Sequence, residues 1–386
     1  MTDLQTTIEI LDRLVAFPTV SSESNLALIE WAANRLADAG AAVEVMPGAE
    51  AGKANLLATI GPDIAGGVVL SGHTDVVPVE GQPWQSDPFR MEERDGRLYG
   101  RGTADMKGFV AACLAMAPHL AACTLARPVH LAFTYDEETG CLGGREMARV
   151  LATRERSPAL AIVGEPTGMG IIEGHKGCHE YLTRFTGLAG HGSQPGQGVN
   201  AVEFAVRYVG KLLELRDHMA AHPVEGSRYD PPYSTLNVGM FHGGAAANVI
   251  PDQTAVEWET RPVRAEDLAF VKTSMARYAE EVLLPEMRRI APEADISMEV
   301  IGEVDGLEPM DENAARDLVT ELTGANATDV VAFGTEAGLF QSAGLSVVVC
   351  GPGSIEQAHK ADEFIEISEL ESCLGMLTRL GARLST

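Results

Sequence analysis

Short apolar runs, Val68–Leu70, Val129–Tyr135 and Leu160–Val163, are separated by stretches whose apolar residues recur at helical spacing, and each run ends in polar residues. No other feature constrains the fold of this 386-residue chain as tightly. Strands that alternate with helices of this length indicate an α/β fold, an open and mostly parallel sheet flanked by helices. The spacing predicts helices over 3–17 and 25–39, the second closed by Gly40, and a strand at Ala54–Ile60. After a loop rich in Pro, Gly and Asp (Pro78–Gly96), Asp105-Met106-Lys107-Gly108 opens an Ala-rich helix, and a further helix runs to Arg154. Sheets of this kind hold their ligands beyond the strand C-termini.

Near residue 178 the pattern changes. Strands at Glu180–Thr186, Thr235–His242, Thr254–Arg261 and Asp295–Ile301, with helices over Asn200–Met219 and Ala265–Glu281, follow a β-α-β-β-α-β order. That order is ferredoxin-like. From Leu307 the first pattern resumes, with a strand at Ser346–Cys350 and a closing helix from Ile367. The expected organisation is a discontinuous α/β domain, residues 1–178 and 305–386, interrupted by an inserted module over 179–304. Neither an internal repeat nor a low-complexity tract is visible.

Composition bounds the function. With 45% hydrophobic and 22% charged residues the chain can build a core, which excludes wholesale disorder. A net charge of −26 argues against nucleic acid and against an anionic membrane surface, since both attract Lys/Arg clusters. The most membrane-like stretch, Phe109–Ala126, is interrupted by Pro118 and His119 and reads as buried helix, because a span needs about 20 strongly apolar residues. Six cysteines without a C-x-x-C pair fit free thiols in a reducing compartment. The N-terminus lacks a basic segment followed by an apolar run, so a cytoplasmic protein is expected.

The strand ends carry the chemistry. Ser71-Gly72-His73-Thr74-Asp75 sets a carboxylate two residues from an imidazole, and metal-bound histidine usually donates its second N–H to such a partner. Asp105 caps a helix or ligates a metal. Asp136-Glu137-Glu138 follows an apolar strand, and neighbouring acids there can divide metal binding from proton transfer. Glu165 precedes Pro166 at the next strand end, and His359 follows the turn Gly351-Pro352-Gly353. Two imidazoles and at least three carboxylates without thiolate suit Zn²⁺, Co²⁺ or Mn²⁺, and five ligands suffice for two ions sharing one carboxylate. The H-E-x-x-H, G-x-S-x-G and G-x-G-x-x-G signatures are absent.

The strings SGHTDVVPV, GRGTADMKG, DEETG, GEPT, GHGS and GPGSIEQAH resemble the co-catalytic metallopeptidase family of aminoacylases, carboxypeptidase G, desuccinylases and acetylornithine deacetylases. The resemblance runs from about residue 5 to 380. WQSDPF, LYGRGTADMKGF, PYSTLNVG and GPGSIEQAHKADEF are similar to its acetylornithine-deacetylase branch. The resemblance implies that His73, Asp105 and Glu165 hold one divalent ion and Asp105, Glu138 and His359 a second, with zinc first and cobalt or manganese next. It implies that Asp75 orients His73, that Glu137 is the general base, and that His191 is offered across a dimer interface toward the developing oxyanion.

Lys176, Asn248, Arg261 and Thr335 occupy positions where relatives contact substrate. Without the resemblance they read as a surface lysine, a turn asparagine, an ion-paired arginine and a capping threonine. The implied reaction is hydrolysis of a small N-acylated amino acid, N2-acetyl-L-ornithine to L-ornithine and acetate in arginine biosynthesis, by a homodimer formed through the inserted lid module. Succinyl-diaminopimelate desuccinylase and a broader aminoacylase are the alternatives, and a non-catalytic metal-binding scaffold is a different class. Phe333-Gly334-Thr335-Glu336-Ala337-Gly338 differs from the Gly-Thr-Ser-Asp-type string of desuccinylases, which favours the acetylornithine branch, and Glu336 meets a substrate ammonium or forms a buried salt bridge.

Overall fold

The protein is represented by a computed structural model that describes residues 4–385. Two compact units are present. One takes in the described residues through Gly174, Leu307–Val330 and those from Thr335 onward; the other is His175–Gly306 with Val331–Gly334.

Twelve strands form the two principal sheets: β1 (Ala42–Pro47), β2 (Ala54–Ile60), β3 (Val68–His73), β4 (Val129–Thr134), β5 (Leu160–Pro166), β6 (Ile171–His175), β7 (Cys178–Thr186), β8 (Thr235–Gly243), β9 (Gln253–Arg261), β10 (Asp295–Val304), β11 (Thr328–Val331) and β12 (Ser346–Gly351). Ten α-helices accompany them among the described residues: α1 (Leu4–Val15), α2 (Leu26–Asp38), α3 (Gly108–Ala122), α4 (Leu142–Thr153), α5 (Ala201–Ala221), α6 (Ala265–Tyr278), α7 (Leu284–Arg288), α8 (Ala314–Thr323), α9 (Ala337–Ser342) and α10 (Ile367–Leu384). Among the described residues no helix is long and apolar enough to cross a membrane.

The first unit is built on an eight-stranded sheet of order β1-β2-β4-β3-β5-β12-β6-β11. The central run β4-β3-β5-β12 is parallel, and β1-β2, β2-β4 and β12-β6 pair antiparallel. Every residue of β3 and β4 is buried, as expected for parallel strands covered on both faces. Leu56, Leu70, Leu131, Phe133, Ile162 and Val348 contribute to one core with residues of α1, α2, α3, α8 and α10. α4 and α9 pack on one another and on the sheet as well. This is the α/β architecture read from the sequence.

Three details differ from that reading. The edge strand β1 and the short strands β6 and β11 carry no strong apolar signal; β1 is mostly exposed along its length. The Ala-rich helix begins at Gly108 and not at Asp105, because Asp105 and Met106 adopt non-helical backbone. The expected 3–17 helix is seen over Leu4–Val15, its first position lying outside the described residues.

The second unit is a four-stranded sheet of order β8-β9-β7-β10 with antiparallel neighbours. Strand β9 alternates buried and half-buried residues, the signature of a sheet covered on one face. Tyr181, Phe185, Val256 and Trp258 of that sheet share a core with Tyr208 and Leu212 of α5 and Val271 and Met275 of α6. The ferredoxin-like order is the one read from the sequence. The helix expected to reach Glu281 ends at Tyr278 and continues through a wide turn, Ala279–Leu283, into α7.

Candidate metal centre

Parallel strands β3, β4 and β5 end together, so the residues just beyond them share one space. β3 delivers His73, the turn after β4 delivers Asp136–Glu138, and β5 carries Glu165 near its end. Beneath Glu165 the backbone must let α3 approach closely. A Cβ on Gly164 would fall inside the Phe109 ring, so only glycine fits.

His73 Nε2 stands 3.1 Å from Asp105 Oδ1 and 3.8 Å from Glu165 Oε1. His359 Nε2 stands 2.9 Å from Glu138 Oε2 and 3.4 Å from Asp105 Oδ2. Asp105 therefore faces one imidazole with each oxygen. Ligand atoms of His73, Asp105 and Glu138 lie within 4.8 Å of one another, as do those of His73, Glu137 and Glu165. His359, at φ 62°, comes from a distant loop and remains half exposed.

Asp75 does more than face His73. Its backbone carbonyl is 2.9 Å from His73 Nδ1, closer than its carboxylate at 3.6 Å. The carboxylate instead accepts the Ser21 hydroxyl (2.7 Å) and the backbone N–H groups of Glu137 (3.1 Å) and Glu138 (3.3 Å). It thus fixes the turn that carries both glutamates. Asp136 points away to Lys53, whose Nζ is 2.5 Å from Oδ1 and also donates to the Ser21 carbonyl. Neither Ser21 nor Lys53 stands in a recognisable motif; each is found only through its long-range partner.

The electrostatics are those of acids crowded out of water. Burial raises Glu137 and Glu165 well above the ordinary glutamate range, and neighbouring carboxylates add to it. Burial and then Asp105 raise Glu138. Burial opposes charge on His73, yet the hydrogen bond to Asp105 and the charges of Glu165, Asp75 and Asp105 hold its imidazolium well above the usual value. Hydrogen bonds to Asp105 and Glu138 push His359 up to about 10. A buried oxygen of Glu165, Oε1, receives no hydrogen bond. Buried carboxylates need a cation or a donor, and this mixed imidazole and carboxylate set fits divalent ions of the zinc type.

The other candidates fall elsewhere. Thr335, in the first unit, is buried and accepts the Ala337 N–H at 3.1 Å. Glu336 is fully buried and, in place of a salt bridge, accepts from Ser71 Oγ (2.6 Å) and Thr134 Oγ1 (2.8 Å), hydroxyls of β3 and β4.

In the second unit, Gly190–His191 pairs with Val249–Ile250, and the Gly192 N–H donates to the Asn248 carbonyl, bringing His191 beside Asn248. The Ser193 N–H donates to His191 Nδ1 at 3.2 Å, so the neutral ring carries its proton on Nε2. Lys176 is buried and donates to the Pro231 and Tyr233 carbonyls at 2.7 and 2.9 Å. Arg261 is paired with Glu259 through Nε (3.3 Å) and Nη2 (3.0 Å).

The profile of Peptidase family M20/M25/M40 matches residues 69–383. An acetylornithine deacetylase of Photorhabdus laumondii subsp. laumondii is 37% identical over 368 residues, 94% of this chain and 92% of that protein. Another, of Klebsiella pneumoniae, is 38% identical over 366 residues, 93% and 92% of the two chains. Among solved structures, an M20 family metallo-carboxypeptidase from Sulfolobus solfataricus superposes with a TM-score of 0.76 at 17% identity, covering 97% of this chain and 98% of that one. A tripeptidase from Staphylococcus aureus gives 0.75 at 20% identity, covering 98% and 99%. The solved structures share the fold; the near-full-length sequence relatives and the family profile extend the likeness to descent, and the chain belongs to peptidase family M20/M25/M40.

Proposed function

We propose that the protein is a dinuclear-metal amidohydrolase that converts N2-acetyl-L-ornithine and water to L-ornithine and acetate. The observation that carries the reading is the close set of two imidazoles and four carboxylates gathered where the parallel strands end, with Asp105 facing both imidazoles. The names of the two sequence relatives above support the choice of substrate. His73, Asp105 and Glu165 would hold one ion, and Asp105, Glu138 and His359 the other, with zinc favoured over cobalt or manganese. Two such ions supply water activation and polarisation of the acyl carbonyl when bound.

The residues then divide the work. Glu137, held by its backbone N–H to Asp75, takes the proton from the attacking water and returns it to the leaving amine. Its proton affinity, raised by burial, suits a group that must take a proton from water. His191 presents Nε2–H as a donor and stabilises the developing oxyanion, the task of an oxyanion hole. Arg261 offers a planar guanidinium to the substrate α-carboxylate, exchanging its Glu259 partner for it. Asn248 stands beside His191 as a polar contact. Lys176 and Thr335 act through the backbone groups they bond, shaping the segments around the substrate. The second unit serves as lid and homodimer surface, in a cytoplasmic enzyme.

Metal content of the purified protein, followed by turnover of N-acetylornithine, N-succinyl-diaminopimelate and several N-acetyl amino acids, tests the reading. Preferred turnover of N-acetylornithine with two ions per chain is expected. Preference for the succinyl substrate overturns the specificity, and metal binding without any turnover overturns the enzyme.

A further inference from the structure

Two ligands of the proposed centre, Asp105 and His359, lie far apart in the chain and meet through a hydrogen-bonded path that no motif announces. It starts at Glu363, which is 1% exposed. Glu363 Oε1 accepts the backbone N–H groups of Ala104 (2.9 Å) and Asp105 (3.0 Å). Its Oε2 accepts the N–H of Gly102 (2.9 Å) and Nη1 of Arg101 (2.7 Å). The segment that ends in Asp105 is therefore wrapped around one carboxylate, which is why its N–H groups need no helical partner.

Arg101, also 1% exposed, carries the path onward. Its Nη1 donates to the Lys360 carbonyl at 3.3 Å and its Nη2 to Gln82 Oε1 at 2.5 Å. The guanidinium sits over the Trp84 ring. Gln82 Oε1 accepts a second donor, Trp84 Nε1, at 3.0 Å. Two donors on one face of the amide fix its orientation, leaving Nε2 to donate to the His359 carbonyl at 3.1 Å. The His359 side chain is half exposed and its φ is 62°, so packing does little to hold it. The backbone contact from Gln82 anchors the loop at the ligand itself.

Resting on the two-ion reading above, we infer that Gln82 is a positioning residue for His359, and that with Arg101 and Glu363 it keeps His359 in register with Asp105 and so sets the affinity of the second ion. Partners that orient a metal ligand in this way commonly change affinity by 10–100-fold when removed. Gln82 lies on a partly buried loop, and truncating it to alanine removes both the contact to His359 and the acceptor shared by Arg101 and Trp84.

The test compares the full-length protein with Gln82→Ala and Gln82→Glu after chelation, by equilibrium dialysis against Zn²⁺ with metal analysis. Gln82→Glu keeps an acceptor for Arg101 and Trp84 but presents an oxygen to the His359 carbonyl. The expected result is an unchanged first equivalent and a second equivalent weakened about tenfold or more in both variants, with the thermal midpoint of metal-free Gln82→Glu unchanged and that of Gln82→Ala lowered by the acceptor lost from buried Arg101. Two unaltered equivalents in the variants overturn the inference while leaving the two-ion reading intact. Equal weakening of both equivalents, or a drop in the thermal midpoint of Gln82→Glu as large as that of Gln82→Ala, also overturns it by marking Gln82 as merely structural. A parent protein that binds fewer than two equivalents overturns the two-ion reading, and the inference with it.

Discussion

Replacing Lys53 by methionine isolates what the Lys53–Asp136 pair contributes to the turn bearing Glu137 and Glu138. Both side chains are about nineteen-twentieths buried and their charged atoms are 2.5 Å apart. Asp136 is held at φ 51°, and burial raises its proton affinity even with Lys53 present. Methionine matches the aliphatic stem but leaves a buried carboxylate without its cation, and the Ser21 carbonyl without its donor.

Breaking a buried pair from one side costs about 3–5 kcal/mol. The lost donor to Ser21 lies within that range, since it is one of the contacts removed. In the double variant Lys53→Met/Asp136→Asn no charge is stranded, and asparagine tolerates the left-handed backbone. Its cost should fall to roughly 1–3 kcal/mol, the penalty of unsatisfied polar groups. Urea-induced unfolding of the metal-free protein, followed by circular dichroism, reads both. A double variant no more stable than Lys53→Met would refute the reasoning, as would a single variant losing less than about 1 kcal/mol.

Other expectations follow from the same geometry. Glu137→Gln should lose about 10²-fold or more in turnover with metal content intact; near-normal turnover in a steady-state assay removes it as the base. Glu336→Ala strands the Ser71 and Thr134 hydroxyls and should cost about 3 kcal/mol or more, against about 1 for the isosteric Glu336→Gln. Equal midpoints in urea for the two variants would argue that Glu336 does not tie β3 to β4. In the metal-free protein, raised Glu137, Glu138, Glu165 and His359 mean that the folded state binds more protons than the unfolded chain above the ordinary glutamate range and up to about 10. The contribution of these groups must then fall as pH rises through that window, outnumbering the opposite slope of Lys107, which burial lowers to about 7. Chelated protein should melt higher at pH 6 than at pH 8, with the gap shrinking in Zn²⁺; the opposite slope contradicts the sign.

The strands that end in ligands were legible because their apolar runs are strong and their terminal acids and imidazoles stand out from them. Val129–Tyr135 running into Asp136-Glu137-Glu138 is the plainest case. The edge strand Ala42–Pro47 was not, since it is mostly exposed and its apolar residues show neither a clear alternation nor a buried run. Local sequence puts the helix start at Asp105, three residues early, because the partner of its N–H, Glu363, lies 258 positions away and no local pattern encodes it. The sequence divides Glu336 between a substrate ammonium and a buried salt bridge, and only the fold brings the Ser71 and Thr134 hydroxyls to it. The roles of Ser21, Lys53 and Gln82 depend wholly on such remote contacts.

Strand β12 lies between β5 and β6 in the sheet although it is made some 180 residues after β5. A ribosome-bound chain that has not yet reached Ser346 consequently shows β5 with a bare hydrogen-bonding edge and lacks His359. Pairings of such sequence separation form late and slowly, and exposed strand edges invite association between nascent chains. The C-terminal segment is thus a final keystone for the sheet and the metal centre together, and truncations before residue 346 should be captured by chaperones in place of yielding a partly active enzyme.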